Sequence, residues 1–363
     1  MARTQYSDLV PVHYHEEYKK DDTTEGRKNE LVEEVFSIIR SVNTFPEGIV
    51  TLEEEVRNLR SLTTLDMDTF YSNGWIRKNH AGQVLCYKYY PNIWDVKKNR
   101  KGIRPLSMRD AFYSDKDLKK AIRANLRYDS GISGLRSWFR MTDIGYCMNF
   151  RPSAATIIYD TNLEENARVL DYSSGYGGRI LGAWASGKVS EYIGVEPNTE
   201  TVRNSERFIE FLNKYPNLRS CKVYQNVSEE FTVDKYPQYR RYFDMAFSSP
   251  PYFDLEEYST EETQSYIKYS EYPEWVKKYL RPTIKNCVDM LKSDGIFAVN
   301  MYDLDNDNEN NKAPNIGKII KYLCSELGFR LYKVDKLELT VKAGNGERSR
   351  EDSKFEPIWY FRR

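Results

Sequence analysis

The sequence predicts an α/β protein whose doubly wound, mostly parallel sheet occupies residues 149–363, preceded by a mainly helical extension over residues 1–148. Three observations carry that reading. From residue 167 onward, strand-like apolar runs alternate with helical stretches, the pattern that places helices on both faces of a parallel sheet. A glycine-rich turn joins the first of these strands to the first helix, and an acidic residue closes the second strand. The last two strands have no helix between them, only the polar stretch KAGNGERSREDS, so they are expected to form an antiparallel hairpin at the sheet's edge.

Taken in order, strands are expected at residues 167–173, 191–197, 220–226, 243–249, 295–302, 329–340 and 354–363, with helices at 178–186, 199–214, 273–291 and 314–327. In the extension, Leu31, Val32, Val35, Phe36, Ile38 and Ile39 recur at helical spacing and place a helix over residues 25–42, ending before Asn43 and Pro46. Thr51 followed by Glu54 is a capping-box pattern that opens a second helix, to about residue 62. A helix, a turn and a helix fit a winged-helix-like reader as well as an ordinary small helical domain.

A chain of 363 residues with 40% hydrophobic content is long enough for two domains with real cores. No run of about 18 apolar residues occurs and the start has no apolar signal core, so a soluble, cytoplasmic protein with no membrane partner is expected. Five cysteines, odd in number and never spaced as CxxC, count against a disulfide framework and a zinc ribbon. The three histidines, His13, His15 and His80, all precede the sheet region, and no metal is expected. The net charge is zero, yet residues 77–127 hold fourteen Lys or Arg against four Asp, interleaved with Tyr87, Tyr89, Tyr90, Trp94, Phe112 and Tyr113. Such a stretch suits contact with phosphates and bases, or else forms a solvated basic face.

The first motif that carries chemistry is the turn from Asp171 through Tyr172, Ser173, Ser174, Gly175, Tyr176 and Gly177 to Gly178 and Arg179. Glycines there let a backbone approach a ligand closely at the strand ends of an open sheet. Glu196 closes the second strand, where a carboxylate accepts hydrogen bonds from both ribose hydroxyls of a nucleoside cofactor. The glycines read G-Y-G-G rather than GxGxxG, which counts against a nicotinamide or flavin site. Alone, the turn also reads as a tight structural connection.

The second motif is Ser249-Pro250-Pro251-Tyr252, ending the fourth strand. With both motifs in this order, the chain resembles the amino-methylating DNA methyltransferases, over roughly residues 149–363 and including the strand order and terminal hairpin. The resemblance implies a Rossmann-like, S-adenosylmethionine-dependent fold of seven strands and a methyl transfer to the exocyclic nitrogen of cytosine or adenine in DNA, with cytosine N4 favoured. It assigns Ser249, Pro250, Pro251 and Tyr252 to catalysis, with Tyr252 stacking on a base turned out of the duplex. It assigns Arg151, Ser153, Asp171, Ser173, Gly175, Gly177, Glu196 and Asn226 to the cofactor: Arg151 at the methionine carboxylate, Asp171 at the methionine amino group, directly or through water, and Asn226 at the adenine. Cytosine C5 chemistry would need a thiol in a Pro-Cys pair, and no cysteine follows a proline. RNA bases, protein glutamine and a modified cofactor remain open alternatives; a non-enzymatic nucleic-acid-binding module would predict erosion of Gly175, Glu196 or the tetrapeptide, and all are intact. The polar, Tyr-rich residues 254–275 read as a loop over the active site or as a plain solvated connection.

Overall fold

The computed structural model describes residues 10, 12–47, 50–99, 102–127, 139, 142–301, 315–339 and 354–363, and every structural statement concerns these. Seven strands form the main sheet: β1 (Ala167–Asp171), β2 (Val189–Glu196), β3 (Ser220–Gln225), β4 (Phe243–Ser248), β5 (Leu291–Asn300), β6 (Arg330–Glu338) and β7 (Phe355–Arg362). Their spatial order is β3-β2-β1-β4-β5-β7-β6. The first five run parallel, and β7 lies antiparallel to both β5 and β6. This is the Rossmann-like α/β architecture expected from the sequence. The order reverses between β1 and β4, which places the switch point, and hence the ligand crevice of such sheets, at the ends of those two strands.

The parallel strands read as near-continuous apolar runs because helices cover both of their faces. In β4, Phe243, Met245, Ala246 and Phe247 are all inaccessible to solvent. Five helices serve this region: α1 (Pro152–Asn162), α2 (Gly178–Ser186), α3 (Thr199–Leu212), α4 (Arg281–Met290) and α5 (Ile316–Glu326). Proline at the first position of α1 suits a helix start, where no backbone donor is needed, and the Asn198 side chain caps α3 by accepting the Thr201 N–H at 2.8 Å. The single helix expected over residues 273–291 is instead a turn, Tyr272–Trp275, a π turn, Val276–Leu280, and α4. Pro282 has no N–H to give to the preceding turn, and the wider π geometry accommodates that loss.

Two expectations are corrected. The terminal hairpin is antiparallel but not at the edge, because Trp75–Ile76 pairs in parallel with β6 and turns back on Tyr71–Ser72, making nine strands. The Asn73-Gly74 pair between them holds φ values of 49° and 74°, the two left-handed residues of a tight hairpin turn. That dipeptide was the available signal. The second correction concerns the boundary at residue 148. The chain divides into one unit of residues 1–55, 91–148 and 255–259, and another of 56–90, 149–254 and 260–363. Residues 56–90 therefore belong with the sheet: besides the hairpin, Leu62 packs over Gly82 together with Leu181 and Pro152.

In the other unit, the helix Glu25–Val42 begins on Thr24, which accepts the Arg27 N–H at 3.2 Å, and packs on the helices His13–Lys19 and Asp115–Arg127. Leu31, Val35, Ile39, Phe112, Leu118 and Ile122 form its core. The helix Leu52–Thr63 opens on the expected capping box, with Thr51 N–H on Glu54 at 3.0 Å and Glu54 N–H on Thr51 at 3.2 Å. Residues 52–55 of it fall in one unit and 56–63 in the other. No described helix is long and apolar enough to cross a membrane.

Candidate cofactor and acceptor site

The turn after β1 packs tightly on one side and is open on the other. Gly177 has φ +74°, and a Cβ there would come within 2.4 Å of the Tyr90 ring; at Gly178 it would meet the Phe150 carbonyl at 1.9 Å. Both glycines are demanded by the chain's own packing. Gly175 differs: its φ of +58° favours glycine, but nothing lies nearer than 3.9 Å to an added Cβ. Its N–H donates to Glu196 Oε2 at 2.9 Å, while the Asn198 N–H donates to Oε1 at 3.0 Å.

Glu196 is thus held at the end of β2 with one backbone donor on each oxygen. Burial pushes its pKa up to about 7, with the two amides pulling the other way. A carboxylate has roughly four lone-pair positions, so two remain for a pair of adjacent hydroxyls. A cavity of about 550 Å³ begins at the next residue, lined by Pro197, Asn226, Val227, Glu230, Thr263 and Lys268 among others but not by Glu196 itself, a volume within the range of small-molecule sites. Asn226 does line this cavity. Its amide already donates to the Tyr236 hydroxyl at 3.2 Å and accepts the Val227 N–H at 2.9 Å.

Asp171 is held by donors of the chain itself. Its side chain is wholly buried, with Oδ1 taking the Ser248 hydroxyl at 2.6 Å and the Ser173 N–H at 3.2 Å. Oδ2 takes Arg179 Nε at 2.7 Å and the Tyr192 hydroxyl. Four donors occupy the carboxylate's lone-pair positions, which makes it the hub of the turn. Arg179, itself buried, also donates to the Ser173 carbonyl, which fixes the turn's path. Ser173 is engaged further by its own hydroxyl, donated to the Tyr172 carbonyl at 2.8 Å.

Arg151 and Ser153 are turned to other work. Arg151 Nη2 donates to the Glu338 carbonyl at 2.8 Å, and burial lowers its pKa to about 10 against the pull of Glu338 and Glu356. The Ser153 hydroxyl donates to the Asn79 carbonyl at 2.8 Å. These bonds fasten the start of α1 to the end of β6 and to the loop after the small hairpin. Asn149 and Phe150, just before α1, meet the turn: the Asn149 amide donates to the Tyr176 carbonyl at 2.9 Å and the Phe150 ring lies 5.5 Å from the Arg179 guanidinium.

Ser249-Pro250-Pro251-Tyr252 leaves the end of β4, next to the end of β1. Pro250 is buried, while Ser249, Pro251 and Tyr252 are partly exposed. The loop is held at both ends. Ser248 before it is bonded to Asp171, and Phe253 after it is buried against Tyr272 and Trp275 at centroid distances of 5.5 and 5.8 Å. Phe253 has φ +58°, an uncommon conformation for a bulky residue and one that persists only where packing dictates it.

The Tyr-rich segment after this loop is neither bare connection nor free of core residues. Trp275 is completely buried and its Nε1 donates to Ser265 Oγ at 3.0 Å. Glu261 accepts the Thr199 N–H at the start of α3 at 3.2 Å, and Lys268 bridges Glu229 and Glu230 at 3.0 and 2.8 Å. Residues 262, 263 and 268 therefore wall the cavity beside Glu196.

Many charges of the basic, aromatic stretch are paired, with acidic partners both inside the stretch and far from it in the chain. Lys97 meets Asp110 at 3.8 Å, Lys98 meets Glu256 at 3.3 Å, and Arg109 meets Asp95 at 2.6 Å and Glu47 at 3.1 Å. Arg104 joins Asp117 and Asp143, Lys119 joins Glu33, and Arg123 joins Glu25. Tyr90, Trp94 and Phe112 are core residues. Arg100 and Lys101 lie outside the described residues. Among the described residues, no group of three or more His, Cys, Asp or Glu is placed to hold a metal ion.

No protein-family model and no curated protein sequence matches the chain. Solved structures do show likeness. TrmN from Thermus thermophilus is 12% identical over 58% of this chain and 48% of its own, with a TM-score of 0.38. TYW2 from Pyrococcus horikoshii, in complex with MeSAdo, is 13% identical over 59% of this chain and 64% of its own, with a TM-score of 0.35. A branched-chain polyamine synthase variant from Thermus thermophilus, in complex with N4-aminopropylspermidine and 5'-methylthioadenosine, is 12% identical over 58% of this chain and 55% of its own, with a TM-score of 0.36. The chain spans about half the length of TrmN. Likeness this distant adds nothing to the chemistry, and the fold stands on the strand order and the two switch-point loops.

Proposed function

We propose that the chain is an S-adenosylmethionine-dependent methyltransferase that methylates the exocyclic amino nitrogen of a DNA base, cytosine N4 before adenine N6. One observation supports the reading: a buried carboxylate, Glu196, cradled by the Gly175 and Asn198 amides, closes its strand on the same carboxyl edge of the parallel sheet from which Ser249-Pro250-Pro251-Tyr252 leaves β4. The residues fit the cofactor's nucleoside, with Glu196 on the ribose hydroxyls and the cavity edge at Asn226 beside the adenine. When bound, the cofactor supplies an electrophilic sulfonium methyl.

The chain's part is to orient and to polarise. An exocyclic amino group is a weak nucleophile because its lone pair is shared with the ring. The Ser249 hydroxyl and Pro250 carbonyl accept from its two N–H bonds and favour a more tetrahedral nitrogen. Prolines fix that carbonyl through their locked φ, and a preorganised acceptor costs no reorganisation during the reaction. Tyr252 stacks on the base, which stabilises it by about 1 to 3 kcal/mol. A methylated amino nitrogen is acidic enough to lose its proton to water, so no strong base is needed.

Ion pairing of several basic residues along 77–127 weakens the charge argument for DNA, so RNA bases and protein amides are tested as acceptors beside it. Incubation of DNA, RNA and glutamine-containing peptides with methyl-labelled cofactor, followed by nucleoside and peptide mass spectrometry, separates them. N4-methylcytosine in DNA is the expected product. Label in none of the three would overturn the reading.

A further inference from the structure

We infer that Ser248, the residue before the Ser-Pro-Pro-Tyr loop, is a positioning residue that sets the distance between the cofactor turn and the acceptor loop. This rests on the methyltransferase reading above. Hydrogen-bonded pairing between β1 and β4 is recorded at Val169 with Met245 and at Leu170 with Ala246, and goes no further. The two strands must part beyond that point for a crevice to open between their ends. Where the ladder stops, the Ser248 side chain takes over: its hydroxyl donates to Asp171 Oδ1 at 2.6 Å and lies 3.1 Å from the Ser173 carbonyl.

The bond is buried and charge-assisted, hence short and strong. Its acceptor is the hub already held by Arg179 from α2 and Tyr192 from β2, so Ser248 joins the acceptor loop to a rigid frame rather than to a lone side chain. On its other side, Ser248 registers with Val299 of β5, which leaves the side chain as its tie to the cofactor half. Displacing reacting groups by about 1 Å can cost about 100-fold in rate.

The test compares wild type, Ser248→Ala and Ser248→Cys in three measurements: single-turnover methylation at saturating cofactor and DNA, calorimetric affinity for S-adenosylhomocysteine, and thermal melting. Alanine is smaller than serine and should fold; cysteine keeps the volume with a weak donor. The expected result is a single-turnover rate about 10- to 100-fold lower for Ser248→Ala, cofactor affinity within about threefold of wild type, and an intermediate rate for Ser248→Cys. Equal rates for wild type and Ser248→Ala would overturn the inference alone. So would a parallel loss of rate and cofactor affinity, which would make Ser248 only a prop for the turn. Absence of transfer by the wild-type chain to any acceptor would overturn the methyltransferase reading and this inference with it.

Discussion

The glycine turn after Asp171, with Glu196 at the end of the next strand, and the basic stretch over residues 77–127 differ in how their residues are partnered. The turn's residues converge: Gly175 and Glu196 are bonded to each other, and Asp171 gathers Arg179, Tyr192 and Ser248. The basic stretch disperses, its charges answered by Glu25, Glu33, Glu47, Asp143 and Glu256, as far as 158 residues away in the chain. A motif tied to strand ends fixes its own geometry, because parallel strands and right-handed crossovers bring those ends to one edge. A count of like charges fixes nothing, since its counter-charges arrive from elsewhere.

The largest effect that would break this contrast is on stability. Asp171→Ala leaves Arg179 buried without its partner, and should cost about 3 to 5 kcal/mol of unfolding free energy in urea titration. A loss below about 1 kcal/mol would mean that the hub is not what holds the turn.

Next comes affinity. Glu196→Ala should weaken S-adenosylmethionine binding by about 1.5 to 3 kcal/mol in calorimetry, the range for hydrogen bonds to a charged group. Unchanged affinity would move the cofactor away from this turn.

The same residue sharpens the comparison through pH. Its folded pKa of about 7 lies above the ordinary 4.5, so the ligand-free folded state holds the proton longer than the unfolded chain. Its stability contribution is therefore full below 4.5 and is lost as pH rises to about 7. Ribose hydroxyls donate to the charged form, so cofactor affinity should strengthen as pH climbs through about 7. Glu196→Gln should flatten that profile; a slope that survives the substitution assigns it to another group.

The smallest effect is expected where the charge is densest. Reversal of Lys97 and Lys98 to Glu breaks two partly exposed ion pairs and should cost about 1 kcal/mol or less in stability. It should leave the salt dependence of DNA binding as it was. A fall in the log–log salt slope of about 1 per reversed charge would restore the stretch as a phosphate contact.

The alternation of apolar runs determined the seven core strands by itself, to within a few residues at each end, because buried parallel strands and amphipathic helices leave different periods in the sequence. The local strings placed the glycine turn, Glu196 and the Ser-Pro-Pro-Tyr loop at strand ends, where the structure has them. Only the tertiary structure decided that Asp171 faces inward to four donors, that Arg151 and Ser153 fasten α1 to β6 and to Asn79, and that residues 56–90 extend the sheet. The physical reason is the same in each case. A polar side chain takes whichever donor or acceptor the packed chain brings within about 3 Å, and for these residues that partner is set by how the strands and helices cross.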